Sequence, residues 1–262
     1  MPDPDRRVGQ PVIEIRRDPV PVAVGAAHGP FLAQSFGDHA WIIHYLLDHL
    51  FAPVLPGAAQ ALSLPRTLLG APGVALTFDD GPHPEGTPAV LESLARTGAR
   101  ATFFLIGEQV ERRPALAAEI VAAGHLVGLH GYRHRLQLRL STAQVRDDLA
   151  RGLAAIADAT GADPVGWHRP PYGIYSPEGL SAARAAGLRP LLWSRWGKDW
   201  RRLTTPGRIA SRSTRSVIAG DVILLHDADF YSSRDSHRRT VTALGLILTE
   251  LGRRKLGTVL PV

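Results

Sequence analysis

From Gly73 onward, short apolar runs alternate with longer stretches that carry one polar face. Runs of four or five apolar or β-branched residues read as buried strands, and amphipathic stretches of about ten or more as helices. The pattern predicts strands over Val74–Phe78, Ala101–Leu105, Leu126–Leu129, Val165–Trp167, Arg189–Trp193, Asp221–Leu225 and Gly257–Leu260. Between them it predicts helices over Thr87–Thr97, Glu108–Ala123, Thr142–Thr160, Pro177–Ala186, Pro206–Ser213 and Thr240–Arg254. Ser141 with Gln144 three residues on has the spacing of a capping box. Gly98, Gly124, Gly161, Gly187 and Gly252 stand where helices should end. About seven βα units predict a deformed (β/α)7-type barrel, with an open doubly wound sheet as the alternative.

Residues 1–70 break that rhythm and read as an N-terminal extension to an α/β domain over 71–262. The extension is Pro-rich. It suggests short strands at Val12–Ile15 and Pro19–Val24, and a helix over Asp38–Phe51 that Asp38 caps and Pro53 stops. Trp41–Leu64 is apolar, but His44, Asp48, His49, Pro53, Pro56 and Gln60 interrupt it, which favours a packed or interfacial helix over a membrane span. His39, His44 and His49 recur every five residues, a spacing that does not share one helical face, so they read as structural.

Composition changes the picture only a little. A chain of 262 residues that is 45% hydrophobic can bury a sizeable core. The absence of cysteine excludes disulfides and thiolate metal sites. The formal net charge is +6 and the pI about 10.3, carried almost wholly by arginine, since Lys198 and Lys255 are the only lysines. With so much Ala, Gly and Pro, this suits a GC-rich genome. The basic residues look scattered, which favours solvated faces first, attraction to an anionic cell wall or membrane second, and nucleic acid last. Met1–Asp5 carries two acids and Arg6-Arg7 is not followed by an apolar core, so no secretory signal is read.

The candidate chemistry lies just past the strand ends. Thr77-Phe78-Asp79-Asp80-Gly81-Pro82 puts two carboxylates at a strand-to-loop boundary. Neighbouring side chains on a strand point to opposite faces, so the turn must re-aim the backbone if both are to enter one pocket. Adjacent carboxylates repel unless a cation or shared proton relieves them; a helix N-cap is the plainer alternative. His130 and His134 are four residues apart, a metal-ligand spacing if the segment turns helically, and equally the spacing of two surface histidines. Arg169-Pro170-Pro171-Tyr172-Gly173 reads as a rigid loop, either a structural turn or one in which Arg169 orients a carboxylate and a backbone N–H serves as oxyanion donor. Trp193, Trp196 and Trp200 accompany Asp199 near a strand end, where aromatic side chains serve as core or as sugar platforms. Leu224-Leu225-His226-Asp227 ends another strand, and His226 is the best general acid available. In α/β folds such ends converge on one mouth.

TFDDGP, H-x-x-x-H, RPPYG, an Asp-Trp element and LLHD, in that order, resemble the five motifs of the polysaccharide deacetylases (carbohydrate esterase family 4, the NodB homology domain) over roughly residues 70–262. The resemblance implies a deformed (β/α) barrel over 71–262 and metal-dependent removal of N-acetyl, less often O-acetyl, groups from sugars. It implies Asp80, His130 and His134 as ligands of Zn²⁺, with Co²⁺, Mn²⁺ or Ni²⁺ as substitutes. Asp79 is then the general base, held by Arg169; the Tyr172 N–H is the oxyanion donor; His226 is the general acid. Leu224 lines the acetyl-methyl pocket, and Trp200, Pro170 and Tyr172 contact substrate. Two positions depart from the family. Gly131 stands where Ser or Thr is usual after the first metal histidine. Trp196 replaces an acid that pairs with the catalytic histidine, a role left to Asp199 or, failing it, Asp227. The expected substrate is an N-acetylglucosamine polysaccharide, peptidoglycan or a chitin-like oligomer. O-acetyl xylan, a non-sugar amide or a silent wall-binding protein are the alternatives. No nucleic-acid partner is expected; peripheral membrane or cell-wall association is one option, since the family favours a place outside the cytoplasm, and a cytoplasmic place stays open because no export signal is read. The loop Asp227–Arg239 adds Asp229, Phe230, Tyr231 and Arg234 as candidate contacts or as a solvated loop.

Overall fold

The computed structural model describes residues 45–161 and 166–261. Seven strands form one parallel sheet: β1 (Ala75–Asp79), β2 (Ala101–Leu105), β3 (Leu126–Leu129), β4 (Trp167–His168), β5 (Arg189–Pro190), β6 (Arg195–Trp196) and β7 (Val222–His226). Their order is β5-β4-β3-β2-β1-β7-β6, so β5 and β6 are the two edges of a curled half-barrel that does not close. β1 lies between β2 and β7, with Phe78 opposite Phe103 of β2 and Leu225 of β7. Every residue of β1 and β2 is buried, which is why they read as unbroken apolar runs instead of alternating ones. Phe78 stacks on Phe103 at 5.1 Å, within a core shared with Leu76, Phe104, Ile120, Ile223 and Leu244.

The helices lie between strands: α3 (Gly86–Ala95), α4 (Gly107–Arg112), α5 (Pro114–Ala122), α6 (Thr142–Thr160), α7 (Pro177–Ala185), α8 (Pro206–Thr214) and α9 (Ser236–Arg253). The stretch read as one helix over Glu108–Ala123 is two, because Pro114 cannot continue α4 and instead starts α5. The Ser141/Gln144 capping box forms at the start of α6. Gly98, Gly124, Gly161 and Gly187 all have positive φ at helix ends. Gly252 does not end α9, which runs to Arg253; Lys255 takes the positive φ there.

Two strand expectations change. Gly257–Leu260 contributes only a bridge, Thr258 to Val74. The stretch Arg189–Trp193 pairs as strand only at Arg189–Pro190, and the chain joins the opposite sheet edge at Arg195–Trp196. The carbonyls of Leu191 and Leu192 accept hydrogen bonds from the buried guanidinium of Arg169, at 2.8 and 3.0 Å. A buried side chain has taken acceptors that a longer ladder would use.

Of the N-terminal extension, residues 45–51 are helical (α1), followed by a short helix α2 (Pro56–Ala61) that sequence reading missed. The proposed strands at 12–15 and 19–24, with His39 and His44, lie outside the described residues. His49 is buried and donates from Nδ1 to the carbonyl of Tyr175 at 3.0 Å, a structural role. Pro65 O accepts from Leu192 N and Arg66 Nε donates to Trp193 O, both at 2.8 Å, so this segment braces the loop behind β5. No described helix is long and apolar enough to cross a membrane.

Candidate active site

The mouth forms where β1, β3, β4 and β7 end. Asp79 is the last residue of β1, and Asp80 follows with φ of +80°. That left-handed backbone is the re-aiming step two adjacent carboxylates require, and it is costly for a non-glycine residue. Both carboxylates enter one cavity of about 280 Å³ together with His130, His134, Tyr172, Leu224 and His226. Trp193, Trp196, Trp200, Gly173, Tyr231 and Ser232 complete its wall. Pro170 is buried and does not line the cavity; its carbonyl accepts from Gly173 N at 2.8 Å and fixes the turn beneath Tyr172.

The Asp80, His130 and His134 side chains point one ligand atom each at a common centre. Asp80 Oδ1 lies 3.5 Å from His130 Nε2 and 3.4 Å from His134 Nε2, and is buried with no hydrogen-bond partner among the described residues. His130 Nδ1 donates to the carbonyl of Arg169 at 2.7 Å, which turns Nε2 towards Asp80; in the neutral ring that nitrogen carries the lone pair. Burial pulls His134 down to about 4, so it is neutral at physiological pH. Burial works against the charge on Asp80, yet its contacts with His130, His226 and His134 hold it at about 2. One carboxylate with an orphaned buried oxygen and two imidazoles, that of His134 neutral, fit a divalent cation.

Asp79 is held differently. Arg169 is fully buried, donates to Asp79 Oδ1 at 2.7 Å and to Thr77 Oγ1 at 2.9 Å, and lies with its guanidinium carbon 4.1 Å from the Phe104 ring centre. The other oxygen of Asp79, Oδ2, is 3.8 Å from His130 Nε2. Tyr172 sits at φ of +63° in the turn after Pro171, a constrained conformation, with its ring edge against His134.

His226 Nδ1 lies 2.9 Å from Asp199 Oδ1, and its backbone N–H donates to Asp199 Oδ2 at 2.7 Å. Thr240 of α9 supplies a further bond to Asp199 Oδ2 at 2.8 Å. The partner of the histidine is therefore Asp199. Asp227, the alternative, instead accepts from Thr87 and packs under Gly81, where a Cβ would run into its carboxylate. Burial pushes Asp227 up to about 7. For His226, burial lowers the pKa but Asp199 outweighs it, and the imidazole is raised to about 10. A proton donor with a raised pKa keeps its proton until the pH climbs through that value. Replacing Asp199 by Asn removes the raising charge and leaves burial, so the alkaline limb of activity should move down by roughly 1–3 pH units. A bound dication would lower both enzymes' limbs alike. Superimposable alkaline limbs in pH–rate profiles of wild type and Asp199→Asn would contradict this role.

Trp196 fills the place of the missing acid. It stacks on Trp200 at 4.6 Å and leans on Trp193 at 5.4 Å, and Trp200 meets the ring of His226 edge-on at 5.8 Å. Gly131 has φ of +89°, and a Cβ there would lie 2.9 Å from Asp148 Oδ2. That carboxylate accepts from the N–H groups of Tyr132 (2.7 Å) and Arg133 (3.3 Å) and from Arg135 at 3.0 Å. Asp148 supports the loop of His130 and His134 from α6, and the close approach of its carboxylate accounts for a glycine at position 131. Gly131→Ser should therefore destabilise, by about 1–2 kcal/mol for the left-handed backbone alone. An unchanged urea midpoint would show that the loop yields.

The loop after β7 spans 227–235 because α9 starts at Ser236. Tyr231 lies flat on His134, 4.3 Å between ring centres and 12° between planes. Its hydroxyl is 3.2 Å from Glu108 Oε1 and 3.4 Å from Gln109 Nε2. Phe230 packs on His83 and under Arg113, and Arg234 is 96% exposed, away from the cavity. Asp229 joins His83 and His237 in a second buried cluster. His83 Nδ1 accepts the N–H groups of Gly86 (2.9 Å) and Glu85 (3.2 Å), so its proton sits on Nε2, 3.2 Å from Asp229. Asp229 thereby links the loop to His83 and, at 3.4 Å, to His237 of α9. Sequence reading missed Thr77, Thr240, Asp148 and the Tyr231 stack, because each acts through a contact between residues far apart in the chain.

A ligand cluster, a carboxylate held by a buried arginine and an Asp-backed imidazole around one small cavity define a hydrolytic centre on a parallel α/β scaffold. Residues 69–191 match the profile of the polysaccharide deacetylase family, and the chain belongs to that family. It is 38% identical to a chitooligosaccharide deacetylase of Sinorhizobium fredii, over 73% of this chain and 91% of that one. It is 34% identical to a peptidoglycan-N-acetylglucosamine deacetylase of Bacillus cereus, over 69% and 82%. Its fold is similar to a family 4 carbohydrate esterase from Streptomyces lividans solved with acetate, at TM-score 0.65 and 31% identity over 73% of this chain and 94% of that one.

Proposed function

We propose that this protein is a metal-dependent N-deacetylase of N-acetylglucosamine-containing glycans, with Zn²⁺ as the first choice of metal. The observation that carries the reading is the convergence of Asp79, Asp80, His130, His134 and His226 on one cavity, with His134 held neutral by burial and His226 held protonated by Asp199. Asp80, His130 and His134 would hold the cation, which when bound lowers the pKa of water and polarises the acetyl carbonyl. Asp79, fixed by Arg169, would accept the proton of the attacking water through Oδ2. The Tyr172 N–H would steady charge on the carbonyl oxygen. As the C–N bond breaks, His226 Nε2 would give its proton to the departing amine, releasing acetate and a free amino sugar. Leu224, buried on the cavity wall, would receive the acetyl methyl group, and Trp200 would flank the sugar. Relatives named for chitooligosaccharide and peptidoglycan substrates support the same bond as target. The test is acetate release from N-acetylglucosamine oligomers and from peptidoglycan, with the product weighed for loss of one acetyl group. No release from either by a metal-loaded protein would overturn the reading.

A further inference from the structure

The basic residues are not evenly spread once acids are counted against them. Seven of the chain's thirty Lys and Arg residues, and one of its twenty-four acids, lie between 195 and 220. That segment alone carries +6, the formal net charge of the whole chain, and the remainder balances with 23 of each sign. The one acid, Asp199, is fully buried and paired with His226. Arg195 is taken up by Asp221 at 2.8 Å. Among the described residues, Lys198, Arg201, Arg202, Arg208, Arg212 and Arg215 make no ion pair.

These charges begin at the lip of the cavity. Arg201 lies 6.0 Å from the centre of the Trp200 ring and Lys198 Nζ lies 5.2 Å from that of Trp196, both cavity-lining indoles. Arg212 of α8 reaches Thr204 of the same loop at 3.3 Å, so the rim continues onto the exposed face of α8 with Arg208 and Arg215. Arg239 closes the other side by donating to the carbonyl of Arg201 at 3.5 Å. Arginines that make no ion pair, in a stretch whose one acid is buried, attract anions beyond the first contact, over about 8–10 Å at moderate salt.

We propose that this strip is an extended binding surface for the substrate chain, and that the preferred substrate is an N-acetylhexosamine glycan bearing carboxylates, in preference to a neutral one. This rests on the deacetylase reading above and adds the charge of the chain to it. A neutral chitin-like oligomer would fill the cavity and leave the strip idle; a carboxylate-bearing chain would engage both.

The test uses the full-length, zinc-loaded protein and a triple variant, Arg202→Glu/Arg208→Glu/Arg215→Glu, none of whose side chains lines the cavity. Acetate release is followed from N-acetylglucosamine hexamer and from peptidoglycan stripped of phosphate polymers, across sodium chloride concentrations. Pelleting with insoluble peptidoglycan, with its carboxyl-amidated form and with chitin reads binding without turnover. The expected result is a KM for peptidoglycan that rises with salt and rises roughly tenfold in the triple variant, with kcat and the hexamer kinetics unchanged. Pelleting should be lost on amidation or at high salt. Equal salt dependence on both glycans, or pelleting indifferent to amidation and to the variant, would overturn the proposal. If neither glycan releases acetate while pelleting shows the expected charge dependence, the deacetylase reading falls and the binding surface stands.

Discussion

Arg169→Leu should destabilise the protein by about 3–5 kcal/mol, because it strips a fully buried carboxylate of its counter-charge. Arg169 is 0% exposed and Asp79 2%, and neither has water to fall back on. The guanidinium also satisfies Thr77 Oγ1 and the carbonyls of Leu191 and Leu192, so four acceptors lose a donor at once. At roughly 2–4 °C per kcal/mol for a chain of this size, the melting temperature should fall by roughly 10 °C. Removing both charges, as Arg169→Leu with Asp79→Leu, should recover part of that loss, because the isolated buried charge is the costly species. Activity should not return with stability in the double variant. A single variant that melts with the wild type would mean that Asp79 finds its counter-charge elsewhere, and the link between β4, β1 and the interrupted fifth strand would have to be redrawn.

Asp79→Asn should lower kcat by roughly 10²–10⁴-fold, the range a positioned general base contributes. The amide keeps the size of the carboxylate and a hydrogen bond to Arg169, but cannot accept a proton. It also leaves Arg169 without its counter-charge, so the rate must be read well below the variant's own melting temperature. Metal content should be unaffected, since Asp80, His130 and His134 form the ligand cluster without it. A variant that keeps both its metal and more than about a tenth of the wild-type kcat would remove Asp79 from the proton-transfer role.

The fold was legible where burial is two-sided and local. β1, β2 and β3 read as apolar runs because their residues are buried on both faces of the sheet, save the half-buried Leu126, and α6 read to the residue because Ser141, Gln144 and Gly161 mark both ends. The fifth strand was misread because Leu191 and Leu192 are apolar, yet their carbonyls answer to Arg169 and not to a neighbouring strand. The terminal stretch Gly257–Leu260 misled in the same way, with one bridge to Val74 as its only strand pairing among the described residues. At the site, the motifs located the charged groups, but not how each is held. On paper Asp199 came first as the partner of His226, with Asp227 behind it. The structure separates them because Asp199 faces Thr240 and His226, while Asp227 faces Thr87 and Gly81. Gly131 looked like a loss of support; Asp148, a helix away, supplies it.

The most direct test of the central claim is to strip the protein with chelator and titrate zinc back while following acetate release from an N-acetylglucosamine oligomer. The account expects release to vanish with the metal and to return in full at one equivalent per chain, and to stay absent in His130→Ala at that stoichiometry. Release that survives the chelator, or that His130→Ala retains at one equivalent of zinc, would contradict it.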